Sequence, residues 1–136
     1  MIKPIIRDVL FLNRKSELAT ENDKCVIEDL LDTLKANKER CVGMAANMIG
    51  VNKRIIVFNT GFMDMIMINP VIIKKSGAYE AEEGCLSLSG IRKTTRYKNI
   101  EVEFLDINFK RQRQKYFGEI AQIIQHETDH CDGILI

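Results

Sequence analysis

With 136 residues the chain is long enough for one domain with a real core, since a chain of this size buries roughly two thirds of the surface it exposes when unfolded. Its 20 basic and 19 acidic residues nearly cancel to a formal net charge of +1, which argues against long-range attraction to an anionic membrane and against a specific nucleic-acid partner. No window approaches the length of a membrane span, Arg7 and Asp8 interrupt the apolar N-terminal stretch, and Cys25, Cys41, Cys85 and Cys131 form no CxxC pair, so a cytoplasmic protein with free thiols is expected.

Residues 1–19, mixed apolar and basic, predict an extended arm with a short turn packed on the body. From 23 to 40 the apolar residues Val26, Ile27, Leu30, Leu31 and Leu34 recur at helical spacing, with Thr20, Asn22 or Asp23 as N-caps. That pattern predicts an amphipathic helix whose stripe faces the core. Residues 43–50, rich in glycine and alanine, allow another backbone to approach closely, and residues 54–59 then read as a strand buried on both faces.

Residues 63–69 and 71–75 predict two short strands, or one strand broken at Pro70, with 77–82 pairing to them. Residues 99–106 alternate, with Ile100, Val102 and Phe104 inward and Glu101 and Glu103 outward, as a half-exposed antiparallel strand does. The basic groups in 92–98 and 110–115 read as solvated strand edges or turns, with a ribosome or another polyanion as the functional alternative. Ile120, Ile123 and Ile124 mark a final helix. Without repeat or linker, residues 1–136 read as a single domain of α+β class: short antiparallel strands around a buried C-terminal helix, with a second, N-terminal amphipathic helix.

The chemistry concentrates in that last helix. His126 and His130 are the only histidines, and their spacing puts both rings on one helical face. Glu127 beside the first completes HExxH, in which two imidazoles bind a metal and the carboxylate takes a proton from water. A catalytic metal commonly takes a third protein ligand. One protease group continues the motif as HExxHxxGxxH; here Gly133 fits, but Ile136 stands where the third histidine would be. The third ligand is therefore expected upstream, and Cys85, a potential thiolate after Gly84, is the candidate, although a lone cysteine is otherwise a small buried hydrophobe.

At this point the sequence resembles the peptide deformylases over nearly its whole length. That family's ordered motifs GxGxAAxQxG, EGCxS and QHExDH appear as CVGMAANMIG at 41–50, EGCLS at 83–87 and QHETDH at 125–130, supported by Arg96, Gly118, Ala121 and Gly133. The resemblance implies one divalent ion held by Cys85, His126 and His130, ferrous iron in the cell and zinc or nickel in preparations. It implies removal of the formyl group from the N-terminal formylmethionine of nascent polypeptides, with Glu127 as general base and then acid. The same resemblance makes the Leu86 backbone N–H a donor to the oxyanion and the backbone of Val42 and Gly43 the guide for the substrate peptide. Gln122 and Ile123 would line the methionine pocket; Ile123 suits a thioether, whereas Gln122 is polar and has solvent or a backbone partner as its alternative.

Met48 is the main departure, because the family places glutamine there and its amide donates to the formyl oxygen. Loss of one such donor costs ~10²- to 10³-fold in kcat, so a weakened enzyme is expected. Asn47 carries an amide next door but is expected to point elsewhere. Cys41, Ser89 and Cys131 are smaller departures. Two other readings stay open on the sequence: a metal-binding deformylase-like paralogue without efficient deformylation, and a small HExxH metalloprotease.

Overall fold

Alternation along one five-residue strand sets the architecture. In the computed structural model, which describes residues 1–135, strand β2 (Ile55–Asn59) sends Ile55 and Val57 into one apolar cluster and Ile56 and Phe58 into another. A strand has a side-chain period of two, so a run without polar residues must be covered on both faces. Each face has its own helix. Helix α2 (Lys24–Ala36) brings Val26, Ile27, Leu30 and Leu34 to the first cluster, and helix α3 (Gly118–Cys131) brings Ala121, Ile124 and Cys131 to the second. Full burial of a side chain such as Phe58 or Leu30 contributes about 1.5–3 kcal/mol each. Ile136, the residue at the third-histidine place of the protease motif, lies outside the described residues.

The sheet runs in sequence order, β1 (Gly43–Ala45), β2, β3 (Asp64–Cys85), β4 (Leu88–Leu105) and β5 (Arg111–Phe117), with every neighbouring pair antiparallel. This corrects two expectations. Pro70 does not break the strand: it falls in a register shift between Ile68 and Val71, where its missing N–H removes no ladder bond. Residues 77–82 are not a separate strand either. They continue β3, with Ala78 opposite Tyr97 and Ala81 opposite Thr94, in a largely exposed ribbon that has no hydrophobic alternation to advertise it. The long β3–β4 hairpin closes at residues 86–87, next to Cys85.

Glu101 is a further correction. Glu103 is exposed as expected, but Glu101 is buried because Arg113 on β5 lies over it, donating to Glu101 Oε2 from two nitrogens at 2.8 and 2.6 Å. The basic stretch at 110–115 is thus largely the sheet's edge strand.

The N-terminal arm contains a short helix, α1 (Val9–Leu12), capped by Asp8, and a parallel bridge between Glu17 and Lys53. Thr20 and Asp23 cap the entry to α2: Thr20 Oγ1 accepts from the N–H of Asn22, and Asp23 Oδ2 from the N–H of Thr20. Helix α2 ends at Ala36 rather than near residue 40, where Asn37 turns both its backbone N–H and its side-chain amide back to the carbonyl of Thr33. At the other end of the chain Gly133 has φ +72, and a Cβ there would lie 2.5 Å from the carbonyl oxygen of Asn13. No side chain fits where the exit from α3 crosses the arm. Among the described residues no helix is long and apolar enough to cross a membrane.

Candidate active site

Helix α3 is fixed in rotation by Gln125, whose amide accepts from the Tyr97 N–H and donates to the Tyr97 carbonyl, each at 2.9 Å. This clamp to β4 turns His126, Glu127 and His130 inward, at 8%, 5% and 1% exposure. The two imidazoles sit 5.1 Å apart, centroid to centroid, at 61°. Cys85, at the end of β3, brings its Sγ within 3.1 Å of His130 Nε2. One donor atom from each of Cys85, His126 and His130 falls within 4.8 Å of the others.

That donor set fits a divalent ion such as zinc or ferrous iron. The environment of each ring agrees. His126 donates from Nδ1 to Glu83 Oε1 at 2.8 Å, which leaves Nε2 on the side of the ring available to a metal. His130 is buried with no partner at Nδ1 among the described residues, and burial, then His126 and Arg96, push its pKa down to about 3, so it stays neutral. For His126 burial also disfavours the charge, but Glu127, Cys85 and Glu83 outweigh it and push the pKa up to about 10. A metal held by Cys85, His126 and His130 would compete with that proton.

Glu83 gathers four donors. Oε1 accepts from Arg96 and His126 at 2.7 and 2.8 Å, and Oε2 from Arg96 and Gln122 at 2.9 Å each. Arg96, 3% exposed, reaches on to Asp129 Oδ2 at 2.6 Å. Burial works against the Glu83 charge, but the bonds from His126 and Arg96 overcome it and hold the carboxyl at about 2. Glu127 has the opposite fate. It is buried with Oε1 unpartnered among the described residues, and burial, with Glu83 and Asp129 adding and His126 and Arg96 opposing, pushes it up to about 7.

Val42, Gly43, Met48, Cys85, Leu86, Gln122, Ile123, His126 and Glu127 all line one cavity of about 250 Å³, and of the residues expected at the site only His130 sits behind its wall. Gly43 is placed where nothing larger fits: a Cβ would lie 2.9 Å from Ile123 Cγ2 and 3.0 Å from Glu127 Oε2. Met48, 1% exposed, accepts from the Ala45 N–H through Sδ at 3.5 Å and offers no donor. Asn47 does not replace the missing amide, because its Nδ2 donates to the His130 carbonyl at 2.9 Å. Gln122 follows neither of its alternatives, solvent or backbone: its amide bridges Glu83 and the hydroxyl of Tyr79, each at 2.9 Å. Cys41 and Cys131 are free, and burial pushes each thiol up to about 12, so both remain neutral.

Glu83, Arg96, Asp129 and Tyr79 had no role assigned from sequence. A signal existed in the strand period, which puts positions 79, 81 and 83 on one face of β3. The pairing of Tyr79 opposite Arg96 needed the register.

A family model described as polypeptide deformylase matches residues 4–136. A peptide deformylase of Clostridium beijerinckii is 62% identical over 136 residues, the full length of both chains. Among solved structures, the peptide deformylase of Thermotoga maritima superposes with a TM-score of 0.90 at 29% identity, covering 99% of this chain and 95% of that one. The Legionella pneumophila enzyme gives 0.89 at 31% identity, covering 99% and 83%. Matched along its length in sequence and fold, this chain belongs to the peptide deformylase family.

Proposed function

We propose that this chain removes the N-formyl group from the N-terminal formylmethionine of nascent polypeptides, with Cys85, His126 and His130 as metal ligands and Glu127 as the proton carrier. The observation that carries the assignment is the position of Glu127, buried and with a free carboxylate oxygen, in the cavity lined by Cys85 and His126. A divalent ion held by Cys85, His126 and His130 would supply Lewis acidity beside Glu127. Its identity is assigned as ferrous iron, with zinc and nickel as substitutes.

Glu127 takes the proton from the attacking water and returns it to the amine nitrogen as the amide bond breaks. Burial raises the Glu127 carboxyl above its ordinary value, which favours its holding the proton between the two steps. The backbone N–H of Leu86 donates to the oxyanion, and the backbone of Val42 and Gly43 aligns the peptide. Ile123 and Gln122 border the first side chain. Met48 donates nothing, so kcat is expected ~10²- to 10³-fold below that of a site with an amide in its place. Met48 also favours the second reading, a metal-binding paralogue with little deformylase activity.

We assign residues 1–136 to a single domain, the reaction to the cytoplasm, and a transient ribosome contact to the basic residues of β4 and β5. Turnover of formyl-Met-Ala-Ser by anaerobically purified, iron-loaded protein tests the assignment. Activity that vanishes in Glu127→Ala is expected. Absence of turnover with one metal bound per chain would overturn it in favour of the paralogue.

A further inference from the structure

We propose that Gln122 widens the substrate class of this site to formylated peptides whose first side chain carries a hydrogen-bond acceptor, methionine sulfoxide above all. The inference rests on the deformylase reading above. Gln122 stands one helical turn before His126, about 6 Å along the axis of α3, and its side chain borders the cavity that holds the reacting groups. A side chain leaving the scissile amide toward that turn meets Gln122 several bonds out, where methionine has its sulfur.

The orientation of the Gln122 amide is decided by its neighbours. Glu83 accepts the fork of Arg96 and the Nδ1–H of His126, so it can only accept. The amide nitrogen of Gln122 must therefore face Glu83 and its oxygen must face Tyr79, whose hydroxyl then donates. One amide N–H is used by Glu83. The second has no partner among the described residues, in a cavity lined by the apolar Ile123, Leu86 and Met48 as well as by charged groups such as Arg40 and Glu82. Tyr79 is a positioning residue, since it acts by holding the Gln122 oxygen.

Oxidation of methionine adds one oxygen at sulfur without lengthening the side chain, and turns a weak acceptor into a strong one. An aliphatic residue at 122 would receive the thioether equally well but would leave the sulfoxide oxygen desolvated and unpaired, a loss of about ten- to a hundredfold. With Gln122 the spare N–H meets that oxygen.

The test compares formyl-Met-Ala-Ser, its methionine sulfoxide analogue and formyl-norleucine-Ala-Ser on iron-loaded protein. In the wild type the sulfoxide should fall within about tenfold of methionine in kcat/KM. Gln122→Leu should lower the sulfoxide-to-norleucine ratio by about tenfold or more, mainly through KM, and Tyr79→Phe should lower it part of the way. A wild-type sulfoxide value a hundredfold or more below methionine would overturn the inference whether or not either variant folds. So would an unchanged ratio in a folded Gln122→Leu. Loss of turnover on formyl-Met-Ala-Ser itself would instead count against the deformylase reading. In that event dissociation constants of the three peptides for the zinc-loaded protein, read by calorimetry, decide the inference: the sulfoxide must bind at least as tightly as norleucine.

Discussion

Glu83 Oε1 lies 2.8 Å from His126 Nδ1, and through this one bond the end of the β3 ribbon sets which nitrogen of the C-terminal helix faces the cavity. The same carboxylate accepts from Arg96 Nε and Nη2, so the ring is oriented by a group that is itself immobilised. Removing such a support commonly costs 10- to 100-fold in metal affinity. Glu83→Gln should therefore weaken zinc binding by about that factor, measured by competition with a chromophoric chelator. Unchanged affinity would mean that packing alone orients His126.

Met48 suggests a gain-of-function change. Its Sδ accepts from the Ala45 N–H at 3.5 Å, a place that a glutamine carbonyl oxygen can take while leaving its NH₂ toward the cavity. Met48→Gln should raise kcat on formyl-Met-Ala-Ser by up to ~10²- to 10³-fold with a smaller change in KM. A variant that folds and gains nothing would show that the site does not depend on that donor.

Buried Glu127 should cost the protein stability. Its carboxyl is raised from 4.5 in the unfolded chain to about 7, so the folded state binds more protons between these values. The stability tied to its protonated form is complete below about pH 4.5 and is lost as pH rises through about 7, on the order of 3 kcal/mol in all. Glu83 acts with the opposite sign in a lower window: its contribution is present above about 4.5 and is lost as pH falls toward 2. His126, raised from 6.5 to about 10, adds its own loss above pH 6.5. His130, pushed down from 6.5 to about 3, acts the other way, its share being lost as pH falls below 6.5, so that it offsets Glu127 in the window they share. In metal-free protein, Glu127→Gln should therefore make stability to urea rise more steeply with pH between 4.5 and 6.5 than in the wild type, and raise Tm at pH 8. A parallel pair of curves would argue that Glu127 is hydrated.

Gly43 can be tested by one methyl group. In Gly43→Ala the new Cβ would crowd Glu127 Oε2 at 3.0 Å and Ile123 Cγ2 at 2.9 Å. Displacement of a reacting group by about 1 Å can cost on the order of 10²-fold, so kcat should drop by about that much while metal content, read by atomic absorption, stays at one per chain. Wild-type kcat in this variant would mean that Ile123 yields and Glu127 does not move.

Local pattern carried much of this protein. The HExxH spacing put two rings on one helical face, because three and four residues make a turn whatever surrounds them. The stripe Val26, Ile27, Leu30 and Leu34 announced α2, and the unbroken run at 55–58 announced a strand covered on both sides. Cys85, Met48 and the small residues around Gly43 were legible as motif letters with expected places, and the fold brings them to one cavity.

Tertiary structure decided what depends on register between distant segments. Nothing local in 77–82 says strand, because a solvated two-stranded ribbon owes its shape to its partner rather than to a buried face. The charge of Glu101 is covered because Arg113, opposite Glu103 in the β4–β5 register, reaches diagonally to its carboxylate. Likewise the line from Tyr79 through Gln122 and Glu83 to His126 joins residues up to 43 positions apart. Sequence spacing fixes which residues share a face of one element; which face another element then meets follows from long-range packing and pairing, and here that meeting gives each carboxylate its protonation and each ring its orientation.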